Sequence, residues 1–125
     1  MNWLLVFLGG GLGSLARYGL ARWVGSPVLR EGHFPLGTLL ANFLACLVLG
    51  VGLALAARGQ LSRPAQLLFL TGFCGGFSTF STFGAEIAQL GHHGHHGAWL
   101  LYLLASLLSG VAVIYLLVVL FVGGR

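Results

Sequence analysis

The chain has 125 residues, 58% of them hydrophobic and 6% charged, with six arginines, no lysine and a net charge of +4. A soluble domain carries about a quarter charged residues, so this composition excludes a water-soluble globule; long apolar runs between short polar joints indicate a multi-span helical membrane protein. The arginines are scattered rather than clustered, which excludes a nucleic-acid surface or a polybasic lipid patch.

Residues 3–23 form the first expected span, about 31 Å of helix at 1.5 Å per residue, enough to cross a bilayer. Trp3 and Trp23 stand at its two ends, where aromatic side chains favour the membrane–water boundary. Arg17 and Arg22 lie near its second end, in reach of the interface by snorkelling. The start is apolar without a leading basic region, which fits a retained first span rather than a cleaved signal peptide. The joint "GSPVLREGH" follows, with Pro27 as the breaker. The second span covers residues 35–57 and holds one strongly polar side chain, Asn42. "RGQLSR" leads to Pro64, suited to a first helical position. The third span covers residues 64–90, "GHHGHHG" follows, and the fourth span covers residues 99–122 with Tyr102, Ser106, Ser109 and Tyr115. Cys46 and Cys74 fall inside apolar runs without a C-x-x-C motif and read as free, buried thiols. The expected fold class is therefore an all-α membrane protein, one four-helix domain over residues 1–125.

Four crossings put both termini on one side. Arg17, Arg22 and Arg30 then fall on one side, and Arg58, Arg63 and Arg125 on the other. Orientation follows an excess of Lys and Arg on one side, and this chain has none. The balance predicts insertion both ways and an antiparallel, dual-topology homodimer.

"TGFCGGFSTFSTFGAEI" (71–87) interrupts the apolar pattern. Gly72, Gly75 and Gly76 each cost helix stability relative to alanine. The expectation is a third helix broken near its middle, at residues 75–79, a device that lets freed carbonyls hold a cation or freed N–H groups an anion. The competing reading is that the glycines only permit close helix packing. Phe77, Phe80 and Phe83 recur every third residue on one face, as packing or as the wall of a path. Ser78, Thr79, Ser81 and Thr82 lie among them, either bonded back to the helix or offered to a narrow aqueous route. Glu86 is the one acid within a span, placed near its end where it can reach the interface, and an intramembrane carboxylate is a functional candidate.

"GGGLGSLARY" (9–18), "PLGTLLANFLACLVLG" (35–50) and "GFCGGFSTFSTFGAE" (72–86) resemble, in order and spacing, the signature segments of the Fluc, or CrcB, family of fluoride channels. The resemblance implies small antiparallel homodimers that let fluoride leave the cell passively, in the plasma (inner) membrane of a bacterium or archaeon. It implies a structural sodium ion at the dimer centre, held by the carbonyls of Gly75 and Ser78 from each chain. By the same matching, Phe80 and Phe83 correspond to the paired pore phenylalanines, and Asn42 to a pore hydrogen-bond donor. Ser81 and Thr82 correspond to the hydroxyls between the rings. Tyr102 and Ser106 correspond to a polar track on the fourth helix. Gly110 stands where that track often continues with serine, and Ser109 is the neighbouring hydroxyl that would replace it. Ser78–Thr79 replaces the commoner threonine pair, a mild change where backbone oxygens are used.

Two other classes compete. Small proton-coupled multidrug exporters also have four helices and dual topology, but they need a carboxylate in the first helix, and this one has none. An enzyme would have to be built on His92, His93, His95 and His96, which occupy a short joint with no acid beside them; they read as an interfacial histidine-rich loop.

Overall fold

The computed structural model describes residues 1–26 and 32–123. Pro27, Arg30 and Arg125, which entered the reading above, lie outside the described residues. Four helices are long and apolar enough to cross a membrane: Asn2–Val24, Leu36–Ala57, Arg63–His92 and His96–Val122.

The first helix, α1 (Asn2–Val24), stops at Gly25, whose φ of 68° lets its N–H turn back to the Ala21 and Arg22 carbonyls. The second, α2 (Leu36–Ala57), is followed by Gly59, again left-handed at φ 68°. Ser62 opens the third span: its Oγ accepts the Ala65 N–H at 3.4 Å, and Pro64 sits in the first turn of α3 (Arg63–Ala65). The backbone continues as a π-helix over Gln66–Cys74 and as a helical turn, α4, over Gly75–Phe77. Ser78 (φ −79°, ψ 157°) and Thr79 (φ −151°, ψ 115°) are extended. Helix α5 (Phe80–His92) then begins, and α6 (His96–Val122) completes the chain. Helix α6 starts three residues before the expected Trp99, because the Trp99 N–H already bonds the His95 carbonyl at 2.8 Å.

The interval expected to be irregular is therefore divided. Gly75 and Gly76 are helical, and the residues that leave the helix are the serine and threonine after them. The glycines serve approach: a Cβ on Gly13 would lie 2.7 Å from the Phe77 nitrogen, one on Gly72 would lie 2.9 Å from the Val6 carbonyl oxygen, and one on Gly76 would run into the Gly10 carbonyl. Gly9 and Gly13 on α1 thus interlock with Gly72 and Gly76 on the third span, each pair four residues apart, the small-xxx-small contact that lets membrane helices touch backbone to backbone. Gly75 is different, with no atom within 4 Å of an added Cβ.

Two clusters hold the core. Ala41, Ala45 and Phe77 join α2 to the third span before Ser78, with Ala16, Leu20 and Phe73 against them. Phe83, Leu90 and Tyr102 join α5 to α6, with Phe34, Leu39 and Trp99 against them. The two extended residues lie between these clusters.

Candidate functional site

In a continuous helix the Thr79 N–H would bond the Gly75 carbonyl. Here it goes to Asn42 Oδ1 at 2.7 Å, and Asn42 Nδ2 donates to the Thr79 carbonyl at 3.4 Å. The side-chain amide therefore replaces the backbone partner of the Thr79 N–H and adds a second donor to the Thr79 carbonyl, and the Gly75 carbonyl loses its regular donor. The Ser78 N–H and its hydroxyl both donate to the Cys74 carbonyl, at 2.9 and 2.8 Å, closing the end of α4. Thr79 caps α5: its Oγ1 accepts the Thr82 N–H at 3.2 Å and donates to Thr82 Oγ1 at 3.1 Å, with Ser81 Oγ at 3.3 Å. The Gly76 carbonyl accepts from Arg17 Nε at 3.2 Å and, at 3.5 Å, from Ser14 Oγ.

A cavity of about 210 Å³ opens beside this interruption, lined by Asn42, Cys46, Ser78, Thr79, Phe80, Phe83, Ser106 and Leu107. Ser106 Oγ is buried and has no hydrogen-bond partner among the described residues. Phe80 is 82% exposed and Phe83 only 7%, and their rings stand 6.0 Å apart. Asn42, Phe80, Phe83 and Ser106 thus come together on one cavity, joined by Ser78 of the expected sodium pair. Ser81 and Thr82 do not line it; they belong to the hydroxyl group at the start of α5.

Tyr102 stands apart from the cavity. It is fully buried, its hydroxyl donates to Glu86 Oε2 at 2.7 Å, and its ring meets Phe83 edge-on at a centroid distance of 5.2 Å. Thr38 Oγ1 donates to Glu86 Oε1 at 3.0 Å. Glu86 is 5% exposed, so its carboxylate is buried within the protomer. Ser109 donates to the Ala105 carbonyl of its own helix, so its hydroxyl does not stand in for the one absent at position 110. Gly110 is buried, with the Cys46 sulfur 3.2 Å from where its Cβ would be: a serine there would crowd α2. His92, His93, His95 and His96 are exposed, and among the described residues no three His, Cys, Asp or Glu side chains gather as a metal site.

Residues that the sequence reading passed over also shape the site. Thr38 lies four positions before Asn42, so both face the third span from α2; that spacing was the available signal. Arg17 lies on the α1 face of Gly10 and Gly13, at intervals of seven and four, yet it reads from sequence as an interface residue. Thr79, one of the four hydroxyls read in the third span, and Cys46, read as a buried thiol, both line the cavity.

The sequence pattern of the family described as "CrcB-like protein, Camphor Resistance (CrcB)" matches residues 4–118. The chain belongs to the CrcB family. Among curated relatives, the fluoride-specific ion channel FluC of Gloeothece citriformis is 44% identical over 80 residues, covering 61% of this chain and 60% of that protein. The FluC protein of Thermus thermophilus is 45% identical over 78 residues, covering 62% and 60%, and that of Phocaeicola vulgatus 41% identical over 78 residues, covering 61% of each. The matched stretch thus spans about 60% of the length of these relatives. With family membership, the four apolar helices make this a multi-pass membrane protein.

Proposed function

We propose that this chain is a passive, fluoride-selective channel that lowers cytoplasmic fluoride, and not an enzyme. The observation that carries the reading is the unpartnered Ser106 hydroxyl on the cavity beside the interruption, where the Asn42 amide and the Phe80 and Phe83 rings also meet. Fluoride is small and strongly hydrated, so a path must replace its water with donors. Asn42 keeps an N–H beyond its Thr79 bonds, Ser106 has a free O–H, and Ser81 and Thr82 add hydroxyls nearby. Phenylalanine presents the positive edge of its quadrupole to an anion. None of these groups is a fixed positive charge, which would hold the anion too tightly for conduction. Tyr102 enters this reading through Glu86, which it holds beside Phe83.

The span interrupted at Ser78 and Thr79 is read as the working device, and the active form as an antiparallel, dual-topology homodimer in the plasma (inner) membrane of a bacterium or archaeon. Gly75, Phe80 and Ser81 are exposed on the single chain, next to non-helical backbone. Lipid does not tolerate irregular backbone against hydrocarbon, so this face calls for a cover, and a second copy supplies one. Neutral carbonyl oxygens suit a hard cation, and the Gly75 carbonyl has lost its regular donor. Gly75 and Ser78 from each chain would hold a sodium ion, supplying a positive field near the anion path.

The test is fluoride release from proteoliposomes, read with an ion-selective electrode. Release of fluoride but not chloride, without a proton gradient, is the expected result. No release, or release only with a proton gradient, as an exporter would require, overturns it. For the assembly, three lysines added after Arg125 should fix one orientation and reduce flux, and an oppositely biased copy should restore it. Full flux from one orientation would contradict antiparallel pairing.

A further inference from the structure

The interruption removes the Gly76 carbonyl from the helical ladder, because extended Ser78 and Thr79 carry the Phe80 N–H away from it. A carbonyl without a partner is costly inside a membrane. Two donors from α1 meet it, Arg17 Nε at 3.2 Å and Ser14 Oγ at 3.5 Å. They arrive because the glycine interlock seats α1 there: Gly10, Gly13, Ser14 and Arg17 share one face at helical spacing, and the Gly10 carbonyl lies against Gly76. The arginine bond is made by Nε and not by the terminal fork, which makes no other hydrogen bond among the described residues.

We propose that Arg17 is a positioning residue: its Nε–H replaces the missing helical donor at the Gly76 carbonyl and so keeps that carbonyl from competing with those of Gly75 and Ser78 for a cation. Asn42 grips Thr79 from α2 and Arg17 grips Gly76 from α1, so the interruption is fixed from two helices. This inference rests on the proposed reading of Gly75 and Ser78 as a sodium site.

Atom count makes the test specific. Glutamine Nε2 lies as many bonds from Cα as arginine Nε, so Arg17→Gln keeps the donor and removes the charge. Arg17→Met places a methyl at that point and keeps neither. The full-length protein is purified and two quantities are followed against sodium concentration, with N-methylglucamine as the replacement: fluoride release from proteoliposomes, and the rise of the unfolding temperature that a native-state ligand produces. Arg17→Met should raise the half-saturating sodium concentration about tenfold in both readouts, the effect of one lost hydrogen bond. Arg17→Gln should restore both to within about threefold of the unaltered chain, a difference under 1 kcal/mol. Arg17→Gln as impaired as Arg17→Met would show that charge and not the Nε bond matters, and would overturn the inference. So would an Arg17→Met protein with an unaltered sodium response. If Arg17→Met does not assemble, Arg17→Gln decides alone by the same threefold and tenfold limits. If the unaltered chain shows no sodium response, the sodium reading has failed instead, and the Arg17 bond is then judged by whether Arg17→Gln restores the flux and unfolding temperature lost in Arg17→Met.

Discussion

Before Ser78, the third span touches α1 backbone to backbone, glycine against glycine, with no room for a single added carbon. After Thr79, α5 meets α2 and α6 through long side chains: Phe83 against Tyr102, and Glu86 bonded to Tyr102 and Thr38. The first contact is set by shape and the second by polar pairing. A shape contact between backbones has no way to relax, whereas a side-chain network can re-form around a change. Of the extended pair between them, Thr79 is held by Asn42 from α2, while Arg17, seated by the glycine contact, takes the Gly76 carbonyl freed just before the pair. An interruption in a membrane span therefore needs a rigid half to anchor it and partners to receive its freed groups.

The contrast can be broken most severely in the glycine half. Gly76→Val should abolish assembly, because the added Cβ meets the Gly10 carbonyl; overpacking costs about 3 kcal/mol or more where backbone cannot yield. Gly75→Ala should leave the fold of the protomer intact, since nothing lies within 4 Å of the new carbon; helical content by circular dichroism separates the two. Asn42→Asp comes next in size. It keeps an acceptor for the Thr79 N–H but places a carboxylate on the cavity. Two like charges about 4 Å apart at an effective dielectric of about 20 repel by about 4 kcal/mol, so fluoride release should fall by about a thousandfold. Flux should recover as the pH is lowered and the new carboxylate takes up a proton. Glu86→Gln tests the polar half: Tyr102 or Thr38, each of which donates to the carboxylate, then faces an N–H₂ group, and the unfolding free energy should drop by about 1–3 kcal/mol. Retained stability there would erase the distinction between the halves. Ser106→Ala is the smallest change, and stability should stay level or rise by about 1 kcal/mol, since a buried hydroxyl without a partner is removed. Its fluoride release should nonetheless fall.

Much of this was legible in the sequence because membrane spans announce themselves by length, and Asn42 and Glu86 stand out as polar groups in apolar runs. The spacing of the glycines spoke equally for breaking and for packing, and only the position of α1 separates those roles. Gly75 and Gly76 look alike on paper, yet one is open and the other is pressed against Gly10. The family resemblance implies Tyr102 in a track along the fourth helix, but where its hydroxyl goes depends on Glu86, sixteen residues earlier, facing it across α5 and α6. Arg17 is not legible at all, because an arginine near a helix end reads as snorkelling, and its Gly76 carbonyl partner lies fifty-nine residues away in sequence. Long-range hydrogen bonds leave no period in the chain.

Phe80 offers the most direct test of the central claim, that the interruption borders an anion path. Its ring is 82% exposed on the chain and lines the cavity beside Ser78 and Thr79. As mere packing it contributes little to the protomer, and Phe80→Ile should then leave everything unchanged. Fluoride release from proteoliposomes, measured beside the size-exclusion profile, decides between packing and path. The account predicts release at least about tenfold slower with an unaltered profile, about 1.4 kcal/mol of lost ring-edge stabilisation. Normal release from Phe80→Ile, with the same profile, would contradict it.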